Sequence, residues 1–228
     1  MTMHERQLIS DIVGQPVRYL ISSTHHNNYS RGNVAYQDVI RIGHEDYKAD
    51  LLNAMQAEDV PTAEQEARLP DLTFGDRMTL QIGDKEIQII HIGPGHTRGD
   101  SIVFVPEDRI VFAGEAFFYE RFPFMSSGHL NWIHAIDAIL NVEADVIVPG
   151  NGEWAINDPQ VTRQALVQSR QVLVDARDAV QREIALGATE DQVAARVLLQ
   201  PYEGLTGHEP QSEVMVRTIY QDLKGTLP

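Results

Sequence analysis

The chain has 228 residues, a mass of 25.6 kDa and a formal net charge of −15, which suits one globular domain with a substantial core. Its 18 lysines and arginines are scattered rather than clustered, so we expect no nucleic-acid partner. The absence of cysteine excludes disulfides, thiolate ligands and a cysteine nucleophile. No apolar run approaches the roughly 20 residues that cross a bilayer, and the N-terminus lacks the order of a signal peptide. We therefore expect no membrane partner and a cytoplasmic location.

Apolar periodicity predicts alternating helices and strands in the first quarter of the chain. The predicted elements are a helix at 3–13, a strand at 17–22, a helix at 34–38, a strand at 39–42 and a helix at 45–57. Alternation of this kind favours parallel pairing. The segment from Pro61 to Pro70 is predicted to be a flexible insertion.

From Arg77 the apolar period changes to two, which predicts antiparallel hairpins. The expected strands lie at 77–82, 87–91, 102–105 and 110–112. An amphipathic helix at 130–140 and a strand at 145–148 follow. Beyond Pro159 the pattern is helical, with segments at about 160–185, 189–199 and 212–223.

Four segments at or after predicted strands carry the candidate residues for metal chemistry. Residues 24–33 read THHNNYSRGN, and residues 93–101 read GPGHTRGDS. Residues 110–115 read IVFAGE, and residues 146–152 read VIVPGNG. Glu115 ends an apolar strand, so its carboxylate needs a partner if it is buried. A metal, a protonated histidine or Arg98 would each satisfy that need.

In order and spacing, these four loops resemble the metal-binding loops of the metallo-β-lactamase superfamily, from about residue 3 to about residue 155. The resemblance implies that His25, His96 and Glu115 occupy metal-ligand positions. Four other positions carry residues that differ from the histidines and the aspartate of the family, namely Asn27, Tyr29, Ser30 and Asn151. His26 falls where the family does not usually place a ligand, so we expect it on the surface or behind the ligands.

The resemblance also implies an α+β fold of the αββα sandwich type, shortened at the N-terminus and followed by helices. We expect residues 1–157 to form the metallo-β-lactamase-like domain and residues 158–228 to form a helical extension packed on it. The strands that normally precede the first helix are missing, so the first sheet is expected to be narrow. Either a partner subunit covers the edge of this first sheet, or the chain forms a shortened version of the domain. We predict a homo-oligomer, most simply a two-fold dimer.

Within this family, one or two zinc ions polarise a carbonyl or phosphoryl group and acidify bound water. Because four ligand positions are altered, we predict no cofactor or one weakly bound zinc. The favoured hypothesis is a non-catalytic or strongly altered member that binds a small molecule or a partner subunit. The alternative is a single-metal hydrolase of an ester, lactone, thioester or β-lactam that uses His25, His96 and Glu115. Phe117, Phe118 and Phe122 are the candidates for a pocket lining.

Overall fold

The computed structural model describes residues 2–125, 128–152 and 159–227 as two β-sheets with helices around them. In this part of the chain the strands are β1 (Tyr19–Ser22), β2 (Ile40–His44), β3 (Leu72–Phe74), β4 (Arg77–Ile82), β5 (Lys85–His91), β6 (Ser101–Val105), β7 (Ile110–Phe112) and β8 (Val146–Val148). The α-helices of the same residues are α1 (Thr2–Val13), α2 (Asn27–Ser30), α3 (Glu45–Ala57), α4 (Thr62–Arg68), α5 (His129–Leu140), α6 (Pro159–Ala185), α7 (Glu190–Arg196) and α8 (His208–Lys224).

The first sheet has three strands in the order β1, β2, β3, and both pairings are parallel. The predicted parallel pairing of the alternating segments is therefore confirmed. Ile21 lies opposite Ile42 in the register of β1 and β2. Helix α3 returns the chain between β2 and β3, and it begins where the imidazole of His44 accepts a hydrogen bond from the amide of Asp46 at 3.1 Å. Such N-capping satisfies a backbone donor that the helix itself leaves unpaired.

The second sheet has five strands in the order β4 to β8, with β7 and β8 paired in parallel and the others antiparallel. Its hairpin of β4 and β5 turns at Gly83, whose φ of +65° is a conformation that glycine adopts without steric cost. The two sheets meet through an apolar cluster in which Ile42 and Phe74 of the first sheet pack on Ile89 of the second. This packing and the flanking helices form the predicted αββα arrangement.

The largest apolar cluster lies between the second sheet and the C-terminal helices. Ile102 and Val111 of the sheet, Trp132 of α5, Leu166 of α6 and Met215 of α8 all belong to it. Residues on both sides of the predicted domain boundary thus share one core. The boundary itself, at residues 157 and 158, lies outside the described residues, and the division into two domains stays a prediction.

The segment from Pro61 to Pro70 differs from its prediction as a flexible insertion. It contains the helix α4, in which Arg68 is 1% exposed. The short strand β3 begins just after the segment. The two prolines bracket this helix rather than mark a loose loop, because proline is tolerated at helix boundaries. No helix within the described residues is long and apolar enough to span a membrane.

Candidate metal centre

Three segments that follow or connect strands bring polar side chains together. His26 lies in the loop after β1, His96 lies between β5 and β6, and Glu115 follows β7. The two sheets are joined at this point, because the amide of Ser101 donates a hydrogen bond to the carbonyl of Ser23 at 3.1 Å. The loops that leave these strands therefore meet above the junction.

Two imidazole nitrogens face the same carboxylate oxygen. Nδ1 of His26 lies 2.8 Å from Oε2 of Glu115, and Nε2 of His96 lies 3.5 Å from that oxygen. The ligand atoms of these three residues all lie within 4.8 Å of one another. Two imidazoles and one carboxylate within this distance form a three-ligand set of the kind that catalytic zinc sites use.

Glu115 is a buried carboxylate that faces His26, His96 and Asn28. Its side chain is 5% exposed, Oε2 faces His26, and Oε1 accepts a hydrogen bond from Asn28 at 3.2 Å. Burial opposes ionisation, but the hydrogen bond with His26 and the nearby His96 hold the pKa of Glu115 below its usual value. Arg98, considered above as a partner for Glu115, pairs with Asp50 instead, with Nε 3.2 Å from the carboxylate.

His96 is enclosed by aromatic rings. Its ring centroid lies 5.1 Å from that of Trp132, 5.4 Å from that of Phe118 and 5.8 Å from that of Phe124. Burial lowers the pKa of His96 to about 4, although the charge of Glu115 opposes this shift. The imidazole is therefore neutral at pH 7, which is the protonation state that a metal requires.

The carboxylate of Asp100 fixes the loop that carries His96. It accepts hydrogen bonds from the amides of His96 at 2.6 Å and Thr97 at 3.0 Å, and from the Thr97 hydroxyl. The Thr97 hydroxyl also lies 3.2 Å from that of Thr24, in the loop after β1. Burial raises the pKa of Asp100 to about 6 in spite of these hydrogen bonds.

The structure brings His26, rather than His25, into the cluster with His96 and Glu115. The ring of His25 lies beside that of His26, with centroids 4.9 Å apart, and its buried Nδ1 has no hydrogen-bond partner among the described residues. Helix α2 begins at residue 27 with His26 at its N-cap, and Nδ1 of His26 faces Glu115. The identity of the metal ligands stays a prediction, and the geometry favours His26 for the position given to His25.

Two of the four altered positions, Asn27 and Ser30, face away from the cluster. Nη2 of Arg68 lies 2.7 Å from Oδ1 of Asn27 and 2.9 Å from Oγ of Ser30. Nδ2 of Asn27 donates a further hydrogen bond to Glu58 at 3.1 Å. The guanidinium of Arg68 thus binds both side chains, on a side of α2 that differs from the one facing Glu115.

The other two altered positions, Tyr29 and Asn151, lie where the loops after β1 and β8 meet. The Tyr29 hydroxyl donates a hydrogen bond to the carbonyl of Gly150. The carbonyl of Asn151 accepts a hydrogen bond from the amide of Tyr119 at 2.9 Å. A Cβ on Gly150 would lie 2.2 Å from the carbonyl oxygen of Gly114, so only glycine permits this close approach.

The cluster opens into a cavity of about 340 Å³ with an aromatic wall. Phe118, Phe122 and Phe124 contribute this wall, while His26, His96, Glu115 and Asn151 line the polar side. Two of the predicted pocket residues, Phe118 and Phe122, therefore reach the cavity. Phe117, also predicted to line it, is fully buried in the main apolar cluster, because it precedes Phe118 in extended backbone and points to the opposite side.

Arg121 adds a cation to the lining of this cavity, together with residues at the start of α8. Its side chain is exposed, and within the described residues it forms no ion pair. The start of a helix also favours negative charge, since its backbone amides point outward. Although the chain has a net charge of −15, the part of the lining formed by Arg121 and the start of α8 favours an anionic group.

Sequence reasoning did not identify several of these residues. His26, Asn28 and Arg68 were absent from the predicted site. The adjacent histidines His25 and His26 were a usable signal, because either imidazole can approach a ligand position. Arg68 has no local pattern, since tertiary packing alone brings it to the loop after β1.

Comparison with known proteins agrees with this architecture. The model of the metallo-beta-lactamase superfamily matches residues 23–151, more than half of the chain, and the protein therefore belongs to that superfamily. A linear primary-alkylsulfatase from Pseudomonas sp. (strain ATCC 19151) is 23% identical over 173 residues, which cover 68% of this chain and 31% of the relative. The chain thus spans about a third of that relative's length.

Two solved structures share the fold. A metallo-beta-lactamase from Pontibacter korlensis superposes with a TM-score of 0.61 at 20% identity, and the match covers 76% of each chain. A stereoselective inverting sec-alkylsulfatase from Pseudomonas sp. superposes with a TM-score of 0.65 at 14% identity, covering 91% of this chain and 41% of the other.

Proposed function

We propose that this protein is a strongly altered metallo-β-lactamase-fold hydrolase that uses a single metal ion, with His26, His96 and Glu115 as the ligands. The observation that supports this proposal is the convergence of two imidazole nitrogens on one buried carboxylate oxygen at the floor of a cavity. Zinc is the metal that this ligand set suits, and bound zinc supplies Lewis acidity and acidifies coordinated water.

The surrounding residues have separate tasks in this proposal. The Asn28 amide fixes the second oxygen of Glu115, so the carboxylate keeps one orientation. Trp132 and Phe118 enclose the His96 ring and limit the access of water to it. Because burial keeps His96 neutral at pH 7, a proton does not compete with the metal for its nitrogen.

We infer that the substrate is an ester with an anionic group and an apolar portion. Arg121 and the start of α8 favour the anionic group, and the phenylalanine wall favours the apolar portion. Two similar proteins are named as alkylsulfatases, and an alkyl sulfate has both features. Linear alkyl sulfates are therefore the first substrates to test, ahead of neutral esters, lactones, thioesters and β-lactams.

Metal content and affinity test the ligand assignment. We expect the purified protein to bind one equivalent of zinc, and we expect His26→Ala, His96→Ala and Glu115→Gln each to lower the affinity by about 10-fold or more. His25→Ala is the matched control, since it removes the adjacent imidazole. If His25→Ala weakens binding while His26→Ala does not, the ligand assignment is wrong.

Activity is then tested on the zinc-loaded protein. We expect release of inorganic sulfate from a linear alkyl sulfate, with Arg121→Gln raising KM more than it lowers kcat. A neutral ester of the same chain length should show the same KM in both proteins. Zinc binding without turnover of either compound would remove the hydrolase proposal.

A second candidate function is binding without catalysis, of a small molecule or a partner subunit. The side chains of Asn27, Tyr29 and Ser30 are engaged in hydrogen bonds within the protein, which favours this candidate, because these three altered positions need no metal as a partner. Calorimetry with a linear alkyl sulfate in the presence and absence of a chelator separates the two functions. Binding that is unaffected by the chelator, without turnover, would support the non-catalytic role. The cytoplasmic location and the absence of a nucleic-acid partner stay predictions from composition.

A further inference from the structure

Arg68 places a buried guanidinium directly behind the loop that carries His26. It is the last residue of α4 and is 1% exposed. Its Nη2 donates to Asn27 and Ser30, and its own backbone carbonyl accepts a hydrogen bond from Asn33 at 2.9 Å. Arg68 thus contacts the segment after β1 at three residues, two in α2 and one just beyond it.

The short helix α2 has two differently engaged sides. Asn27 and Ser30 face Arg68, whereas Asn28 faces Glu115 and Tyr29 faces Gly150. A helix of four residues is marginal on its own, because its nucleation fixes several dihedral angles for few hydrogen bonds. Its N-cap residue, His26, makes no capping hydrogen bond. The orientation of α2 therefore depends on the contacts of its side chains.

The electrostatic setting of Arg68 is unusual for a structural arginine. Among the described residues, Glu64 is the carboxylate within ion-pair distance, at 3.7 Å, and its side chain is 48% exposed. The nearer contacts are neutral oxygens, and the buried Nε has no hydrogen-bond partner in the part of the chain that the structure describes. Burying a cation among neutral groups is costly, and such a group is retained where its directed hydrogen bonds fix a conformation.

We propose that Arg68 is a positioning residue for the candidate metal centre. Its guanidinium holds the oxygens of Asn27 and Ser30, two positions where the resemblance implies metal-binding histidines. By holding this side of α2, it directs His26 and Asn28 toward Glu115. A fixed protein cation thus organises a loop that metal ions organise in the family. This inference rests on the proposed metal site.

The experiment compares Arg68→Met and Arg68→Lys with Arg41→Met as the matched control. Arg41 is also a buried arginine, at 9% exposure, and it donates to the carbonyl of Ala67 at the end of α4 without contacting α2. Hydrogen exchange of the amides in residues 26–33 is measured on the metal-free protein. Zinc affinity is measured separately by competition with a chromophoric chelator.

We expect Arg68→Met to raise exchange in residues 26–33 by about tenfold and to lower zinc affinity by about tenfold or more. Arg68→Lys should be intermediate, because an ammonium keeps the charge but loses the planar fork. Arg41→Met should leave both quantities within about twofold of the parent, whatever its effect on overall stability. If Arg68→Met does not fold, Asn27→Ala is used instead, because it removes one acceptor of the Arg68 guanidinium. It should raise hydrogen exchange in residues 26–33 in the same way, but by a smaller factor.

Two outcomes would overturn the inference. In the first, Arg68→Met shows the same hydrogen exchange and the same zinc affinity as the parent. In the second, Arg41→Met changes both quantities as much as Arg68→Met does, which would indicate a general loss of stability. If the parent itself binds no zinc, the proposed function fails, but the exchange data on metal-free protein still decide whether Arg68 positions α2.

Discussion

The hydroxyl of Tyr29 donates a hydrogen bond to the backbone carbonyl of Gly150, across 121 positions of the sequence. This bond joins the loop after β1 to the loop after β8. Burial raises the pKa of the Tyr29 hydroxyl well above its usual value, so the side chain remains a neutral donor at physiological pH. The resemblance implies metal ligands at position 29 and at position 151, beside Gly150. A direct protein hydrogen bond therefore connects two loops that a shared metal ion would otherwise connect.

Tyr29→Phe tests the contribution of this bond. The ring is retained, but the hydrogen bond is lost and the carbonyl of Gly150 is left unpaired. We expect the free energy of unfolding to fall by about 1–2 kcal/mol. Denaturation by urea measures the loss. Tyr19→Phe is the control, since the hydroxyl of Tyr19 has no hydrogen-bond partner among the described residues, and a change under about 0.5 kcal/mol is expected. Equal stability of Tyr29→Phe and the parent would show that the bond contributes nothing.

Much of the fold was predictable because its elements have strong local patterns. Helix α3 was predicted at its observed bounds, and the hairpin of β4 and β5 followed from apolar alternation around Gly83. In both cases the local preference agrees with the tertiary environment. The segment containing α4 was missed, because its seven helical residues include few apolar side chains to reveal a period.

The site was only partly predictable, for a different physical reason. His96 and Glu115 end or connect strands of known order, so topology brings them together. The choice between His25 and His26 depends on the backbone direction where α2 begins, and a change of one residue turns the side chain elsewhere. Arg68 reaches the loop after β1 from the distant segment that contains α4, and no local pattern identifies such a contact.

The buried His96 should make the metal-free protein sensitive to acid. Burial lowers the pKa of His96 to about 4, whereas the unfolded chain takes up this proton near pH 6.5. Between those values the unfolded state binds more protons, so stability falls as the pH is lowered from 6.5 to 4. The contribution is on the order of 3 kcal/mol over this range.

Urea denaturation of chelator-treated protein at several pH values measures this effect. His96→Gln should lose less stability than the parent between pH 6.5 and 4. His134→Gln, which alters an exposed histidine of α5, should retain the parental dependence. Parallel curves for the parent and His96→Gln would contradict the assignment of a neutral buried imidazole.

We predict that the protein forms a homo-oligomer, most simply a two-fold dimer. Strand β1 is an edge of the three-stranded first sheet, and α1 nearby exposes four apolar side chains, namely Leu8, Ile9, Ile12 and Val13. An exposed sheet edge and an apolar patch are both protected when two copies associate. Light scattering should give twice 25.6 kDa for the parent.

Ile12→Lys should shift this oligomer toward the monomer, because it places a charge in the apolar patch. Ile12 is 81% exposed, and Leu186, at 78%, offers a control of similar exposure beyond the end of α6. Leu186→Lys should leave the mass unchanged. A parent mass of 25.6 kDa at micromolar concentration would contradict the prediction.

Restoring the family's ligand types should succeed only if Arg68 is also replaced. The restoring substitutions are Asn27→His, Tyr29→Asp, Ser30→His, Glu115→Asp and Asn151→His. In the present structure Asn27 and Ser30 face the guanidinium of Arg68, so new imidazoles at these positions would point at a buried cation rather than at the cluster. Protonated or not, they would be poor metal ligands in that direction.

The five-substitution variant is therefore expected to bind zinc no more tightly than the parent. Adding Arg68→Met removes the competing cation and frees α2 to rotate toward the carboxylate at position 115, and a bound metal can then replace the lost anchor. We expect the six-substitution variant to bind zinc at least about tenfold more tightly than the five-substitution variant, with a second equivalent retained after dialysis. Elemental analysis and chelator competition measure both quantities. Two tightly held zinc ions in the five-substitution variant would show that Arg68 does not control the direction of these side chains.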